Sequence, residues 1–300
     1  MIYSIIVTYN GIKWIKKCIE SLLDSSVHVK VVVVDNGSTD GTLEFLEGQT
    51  ELHLIKSDSN LGFSAANNLG IKYALDNEAD FVFLLNQDAW VTTDTLERLQ
   101  SISKSSSDYG VISPVHLSGS GQSIDYKFST YVTPKNCPNF YSDIYISTLS
   151  HINNPLKNIY PVNFINAAAW FIPKDCLKIV GFFEELFFLY GEDINYADRV
   201  KFHKLKIGVT PSCIIYHDRP QNATYKKNIW LPNHIRNNTL RFLLSMKNDY
   251  WRTFVSLNLL YCKKLLVSGW YSFSLAKLVI NELLYMYTHM FSILKAKKKY

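Results

Sequence analysis

The stretch VVVVDNGSTDGT, residues 31–42, runs four valines directly into an acidic, glycine-bearing polar loop. Consecutive β-branched residues, apolar on both faces of a strand, fit the interior of a sheet covered on both sides. Apolar runs of the same kind stand at residues 3–8, 52–56 and 81–85, and helical patterns at 13–23, 42–47, 64–75 and 93–103 alternate with them. This alternation predicts an α/β fold with a mostly parallel central sheet flanked by helices. In such sheets ligands bind at the carboxyl ends of the strands, which is where Asp35 stands.

Two other strand ends carry polar groups. The first run ends in Thr8-Tyr9-Asn10-Gly11, and the fourth releases Asn86, Gln87 and Asp88. Together these residues line one edge of the expected sheet. Taken singly, Asp35 or Asp40 also reads as the cap of the next helix.

With 300 residues, 47% hydrophobic and 19% charged, the chain can fill one large domain with an appendage. A net charge of +5 permits an anionic ligand or a membrane surface. It does not indicate nucleic acid, and no such partner is expected. The charge is uneven, since from residue 250 onward eight Lys and Arg residues face the single Glu282. The five cysteines are scattered without C-x-x-C spacing, which favours neither a disulfide framework nor a zinc site. The N-terminus reads as a strand rather than a signal peptide, so a cytoplasmic setting is expected.

Four motifs in order carry a resemblance: VVVVDNGSTDGT, then SNLGFSAANNLGI at 59–71, LLNQDAWV at 84–91 and FLYGEDINYADR at 188–199. They resemble the motifs of family 2 glycosyltransferases, inverting sugar transferases of the GT-A type fold. The resemblance covers roughly residues 1–217 and is nearest the bacterial polysaccharide branch with rhamnosyl- and galactofuranosyltransferase-like members. It implies transfer of a sugar from a nucleoside diphosphate sugar, with UDP or dTDP as nucleotide, to a saccharide hydroxyl. The setting it implies is capsule or O-antigen synthesis, with a saccharide or lipid-linked oligosaccharide as acceptor.

The same resemblance implies roles for residues. Asp35 would accept the N3–H of a uracil or thymine base. Thr8, Tyr9 and Asn10 would form the neighbouring wall of the nucleotide pocket with Gln87, and Asn60, Asn67 and Asn68 would lie near the donor. Asp88 corresponds to the last carboxylate of a D-x-D-like motif that holds Mn²⁺ or Mg²⁺ against the donor diphosphate. Here the first position is Asn86, which removes one charge. In the pair Glu192-Asp193, Asp193 would take the proton from the acceptor hydroxyl, and Glu192 would orient the site or touch the acceptor. His217 is implied as a further metal ligand, with a phosphate-contacting or structural role left open.

Residues 118–161 show no sustained period and suit an irregular acceptor-side excursion. Residues 161–171 read as a returning strand that places Asn166 and Trp170 on the acceptor side, with close packing as an equal explanation of its small residues. Three helices are expected at 231–246, 250–267 and 271–296, without the roughly 18 uncharged apolar residues of a membrane span. The expected division is a catalytic domain at 1–225, with a nucleotide half at 1–115 and an acceptor half at 116–225, and a helical region at 226–300. That region either lies on the inner membrane surface or packs on protein, on the catalytic domain or in a homodimer. Arg236-Asn237 resembles a pair found at the start of this tail in relatives, without a role that the residues reveal.

Two alternatives fit less well. A sugar nucleotidyltransferase would carry a Gly-rich phosphate loop with Arg or Lys after the first strand, which residues 8–14 are not. A non-catalytic nucleotide-sugar-binding protein has no reason to keep Asp88, Asp193 and His217 together.

Overall fold

The computed structural model describes residues 1–141, 159–219, 227–268 and 273–299. The middle of the expected excursion, residues 142–158, lies outside these. The first four strands are β1 (Ile2–Thr8), β2 (Val29–Asp35), β3 (Leu52–Lys56) and β4 (Phe81–Asn86). They form parallel pairs, with Thr8 opposite Asp35 and Val7 opposite Asn86. This register brings the three polar strand ends to one edge.

Alternation along β1 assigns its side chains to two faces. Tyr3 and Ile5 belong to one core with Ile71 and Ala74 of α3 (Gly62–Asp76). Ile2 and Ile6 belong to the other, with Ile15, Cys18, Ile19 and Leu22 of α1 (Ile15–Leu23). Helices α2 (Thr42–Glu47) and α4 (Thr95–Ser105) add Leu46, Leu96, Leu99 and Ile102 to that second core. On the first face Gly70 lets α3 approach β1 closely, since an added Cβ would overlap Ile5.

The second half makes the sheet mixed. Its strands are β5 (Ala89–Val91), β6 (Tyr109–Ser118), β7 (Tyr160–Val162), β8 (Ala169–Pro173) and β9 (Lys206–His217). The order is β3-β2-β1-β4-β8-β6-β9-β5, with β7 also on β9. Strand β8 enters antiparallel between β4 and β6, whereas β6 and β9 run parallel. Strands β5 and β7 pair antiparallel with opposite ends of β9. Because Ala89 lies opposite His217, the turn at Asp88 is set against the end of β9.

Two expectations need correction. The single strand at 161–171 is two strands, β7 and β8, which pair with different partners. Trp170 is not on an acceptor surface. It is fully buried, stacked on Phe183 with centroids 6.1 Å apart and tilted against Tyr196 at 5.8 Å. A central strand covered on both faces buries both alternating sets of side chains, so neither points to solvent.

Helices α5 (Tyr126–Tyr131), α6 (Lys174–Val180) and α7 (Glu192–Phe202) belong to this half. The tail holds α8 (Lys227–Leu244), α9 (Tyr250–Ser268), α10 (Phe273–Thr288) and α11 (Met290–Lys299). The third expected tail helix is thus interrupted at His289. These helices build a core of their own from Leu240, Leu243, Tyr250, Phe254, Leu257, Val279 and Met286, joined by Phe187 from the loop before α7.

Candidate active site

The polar strand ends enclose a cleft of about 310 Å³ lined by Tyr9, Asn36, Asn67, Asn86, Gln87, Asp88 and Ala167. That volume lies at the lower end of small-molecule sites. Asp35 sits directly behind its wall and is fully buried. Its Oδ2 accepts the backbone N–H groups of Gly37 and Ser38 at 3.2 and 3.1 Å, while Oδ1 has no donor among the described residues. A buried carboxylate oxygen left without a donor is costly, although Asp35 is not itself among the residues that line the cleft.

Not every residue expected at the nucleotide reaches the cleft. Buried Thr8 donates from Oγ1 to Gln87 Oε1 at 2.6 Å, and the N–H of Tyr9 donates to the same oxygen at 2.9 Å. Gln87 is thereby fixed across two strand ends, with no room for a side chain at Gly11. Asn10, in the left-handed region at φ 50°, accepts the N–H of Thr39 on Oδ1 at 2.8 Å. Thr8 and Asn10 therefore brace the loops, and Tyr9, half-exposed, faces the cleft.

The asparagine-rich motif divides in the same way. Asn60 and Asn67 line the cleft. Asn60 accepts from Asn36 Nδ2 and from the N–H of Gly62, both at 2.9 Å, closing the turn into α3. Asn68 donates to Phe183 O and Glu185 and accepts the N–H of Phe183 at 2.9 Å. Its work is to tie α3 to the loop before α7, which removes it from the donor side.

Asp88 Oδ1 lies 3.2 Å from Nε2 of buried His217, whose Nδ1 has no partner among the described residues. The N–H of Asp218 donates to Asp88 O at 2.8 Å, and Asp218 Oδ2 accepts Trp14 Nε1 at 2.8 Å. These contacts hold the metal candidates in place. No group of three or more His, Cys, Asp or Glu side chains is gathered among the described residues. One carboxylate and one imidazole fit a hard cation that takes its remaining ligands from substrate phosphates, and they do not fit an all-protein cage.

Glu192 and Asp193 open α7 behind Gly191, which caps the helix at φ 101°. Asp193 accepts the N–H of Ile194 at 2.8 Å and a backbone hydrogen bond from Ala167, a cleft residue. Burial raises its pKa to about 6, against those two hydrogen bonds and the charge of Arg241, which lower it. Burial raises Glu192 well above the ordinary carboxylate range, and the charge of Asp193 adds to this. Asn166 is half-buried beside Ala167, with Oδ1 unpartnered among the described residues.

Three supports carry no local signal in the sequence. Asn237 on α8 donates from Nδ2 to Leu189 O at 2.8 Å. Arg241, one helical turn further, acts on Asp193. Gly62, at φ 81°, lets Phe188 O lie against the start of α3, where it accepts the N–H of Phe63 at 2.8 Å. The loop ahead of the two acids is therefore held from both sides.

Comparison with known proteins bears on the family and the fold. The family described as glycosyl transferase family 2 matches residues 4–161. The low-salt glycan biosynthesis hexosyltransferase Agl10 of Haloferax volcanii is 28% identical over 194 residues, 64% of this chain and 60% of that protein. This chain thus matches less than two thirds of that relative's length. The N-acetylglucosaminyl-diphospho-decaprenol L-rhamnosyltransferase of Mycobacterium tuberculosis is 23% identical over 82% of this chain and 85% of its own. Among solved structures, S. aureus TarS 1-349 in complex with UDP has a TM-score of 0.52 at 19% identity, covering 85% of this chain and 69% of that one. GalNAc-T7 with UDP, GalNAc and Mn²⁺ has a TM-score of 0.56 at 12% identity, covering 83% of this chain and 52% of that one. These likenesses give the fold as the GT-A type.

Proposed function

The chain belongs to glycosyl transferase family 2, and from that premise we propose that it is an inverting glycosyltransferase acting on a UDP- or dTDP-linked sugar. The observation that carries this is the pairing of Asp88, on the cleft wall, with Asp193, held by the backbone of Ala167 in the same cleft. A carboxylate for the leaving diphosphate and one for the acceptor proton then serve one cavity.

In this reading Asp193 accepts the proton of the acceptor hydroxyl as that oxygen attacks the anomeric carbon. The bond to the nucleoside diphosphate breaks on the opposite face, which inverts the configuration. Asp35 holds the base through its free Oδ1, and Tyr9 offers its ring to the nucleotide. Asp88 and His217 would hold Mn²⁺ or Mg²⁺, which supplies positive charge for the departing diphosphate. Asn166 stands beside the acceptor, and Glu192 keeps Asp193 placed.

The relatives' names, a hexosyltransferase and a rhamnosyltransferase acting on a diphospho-decaprenol-linked sugar, support a saccharide acceptor on a lipid carrier. Bacterial cell-surface polysaccharide, capsule or O-antigen, is the corresponding product. The catalytic unit spans residues 1–225 and the tail 226–300, at the inner face of the cell membrane.

The test is thermal stabilisation of the purified protein by UDP, dTDP, GDP and CMP, each with and without Mn²⁺, and with Asp88→Ala as control. Ligands that bind the folded state raise Tm by mass action. Stabilisation by UDP or dTDP that depends on Mn²⁺ and disappears in the variant is expected. A folded protein that none of the four stabilises at millimolar concentration would refute the donor assignment.

A further inference from the structure

Helix α9 carries Trp251, Val255 and Leu259 at four-residue spacing, and α10 carries Ile280, Leu284 and Tyr287 at spacings of four and three. All six are between 44% and 67% exposed. Each set forms one stripe along its helix, on a different side from the buried Phe254 and Leu257 of α9 and the buried Val279 and Met286 of α10. The stripes meet where Phe254 touches Trp251, at 6.2 Å between ring centroids, and Tyr287, at 5.4 Å. Exposed apolar side chains gathered along two adjacent helices mark an interaction site.

Charge selects the occupant. Arg252, Lys263, Lys264, Lys277 and Lys295 are exposed on α9, α10 and α11. The one acid from residue 250 onward, Glu282, is 3% exposed and turned inward, where it accepts Arg236 Nε at 2.8 Å. Asp249, exposed at the start of α9, where it accepts the N–H of Arg252 at 2.8 Å, is outnumbered by these cations, and an apolar stripe with a net excess of cations is the pattern of a helix lying in an anionic lipid surface. A symmetric dimer through the same face would bring like charges together, which opposes it. No helix among the described residues is long and apolar enough to cross a membrane.

We propose that this face of α9 and α10 docks on an anionic lipid bilayer and is joined through α8 to the loop that carries Glu192 and Asp193. The joint is made of named contacts. On the far side of α10 from the stripe, Glu282 holds Arg236, whose guanidinium lies 3.3 Å from the ring centre of Tyr285. The next residue, Asn237, holds Leu189 O. One helix therefore separates the docked layer from the catalytic loop, a distance of about 20 Å at ordinary helix spacing. That places the base within reach of a sugar carried on a membrane lipid. The link to catalysis rests on the transferase reading, whereas the docking surface does not.

The experiment is co-sedimentation of the full chain with vesicles of phosphatidylcholine alone or mixed with phosphatidylglycerol. Leu259→Glu/Leu284→Glu tests the stripe, and Lys263→Glu/Lys264→Glu tests the charge. Circular dichroism and Tm confirm that each variant is folded, and gel filtration reports oligomeric state. Expected are binding to the mixed vesicles alone, on the order of tenfold weaker in either double variant, and one monomeric elution position throughout. Absence of binding to mixed vesicles overturns the proposal, as does binding unchanged in the stripe variant or a dimer that the stripe variant dissociates. Transfer to a water-soluble acceptor reads the catalytic assignment separately. Loss of transfer there with vesicle binding intact counts against the transferase reading and leaves the surface standing.

Discussion

Asn237 donates from Nδ2 to the carbonyl oxygen of Leu189 at 2.8 Å, and so a residue of the helical tail fixes the backbone just ahead of Glu192 and Asp193. Removing this bond costs about 1 kcal/mol of local order and lets the base drift. Asn237→Ala is expected to lower kcat on the order of tenfold while leaving the donor KM nearly unchanged. Steady-state transfer assays check this, and an equal loss in both constants would remove the positioning role.

In the proposed role Asp193 acts as a carboxylate, and its pKa is raised to about 6, chiefly by burial. Transfer should therefore rise with pH through about 6 and level off above it. The stability effect has the opposite sign. A raised folded-state pKa gives stability that is complete below the unfolded value of 3.8 and lost as pH rises through about 6. Asp193→Asn should abolish transfer, keep nucleotide-dependent stabilisation, and raise Tm at pH 8 relative to the unsubstituted protein. A lower Tm at that pH would argue against a strained buried carboxylate.

Arg241 draws the Asp193 pKa down against burial. In Arg241→Met the acid limb of the rate profile should move to higher pH, by up to about one unit, and Arg241→Lys should restore most of its position. A limb that stays in place in the Met variant would show that the charge does not reach the base.

Asp35 carries the buried Oδ1 that a base N–H would satisfy. Asp35→Ala removes that acceptor together with the bonds to Gly37 and Ser38. The stabilisation by UDP or dTDP should disappear and the donor KM rise on the order of tenfold or more, with calorimetry as the direct check.

Gly62 combines φ 81° with direct contact to Phe188 O. In Gly62→Ala the added methyl would push the loop before α7 off the start of α3 and strain the backbone by about 1–3 kcal/mol. A Tm lowered by several degrees and a reduced kcat are expected, whereas Gly41→Ala, at φ 92° but with nothing within 4 Å of its added Cβ, shares the backbone strain without the clash and should lower Tm while leaving kcat unchanged.

The part of the sheet built from β1 to β4 was legible because its logic is local. Four apolar runs with helices between them fix the strands, and parallel register then aligns Thr8, Asp35 and Asn86 without further information. Asp88 and His217 were each readable as strand-end residues, although only the pairing of β5 with β9 brings them to 3.2 Å. The part built from β5 to β9 was harder. The small residues between β7 and β8 conceal a break, and a central position for β8 turned Trp170 into core. Arg241 left no trace in any local pattern, and the work of Asn237 was equally hidden, because their partners stand about fifty residues earlier and meet them only when the tail packs. The resemblance marked Arg236-Asn237 as a pair, and the contacts with Glu282 and Leu189 give that pair its work.

Phe187 is 1% exposed and lies in the core built by Leu240, Leu243 and Tyr250. A chain shortened after β9 would bare this ring and the neighbouring Leu186 just ahead of Glu192 and Asp193. The apolar surface would promote aggregation, and the loop would lose its anchor. The tail is thus an indivisible part of the folding unit. Any attempt to obtain a smaller soluble enzyme has to supply a substitute floor for Phe187 before anything can be learned from its activity.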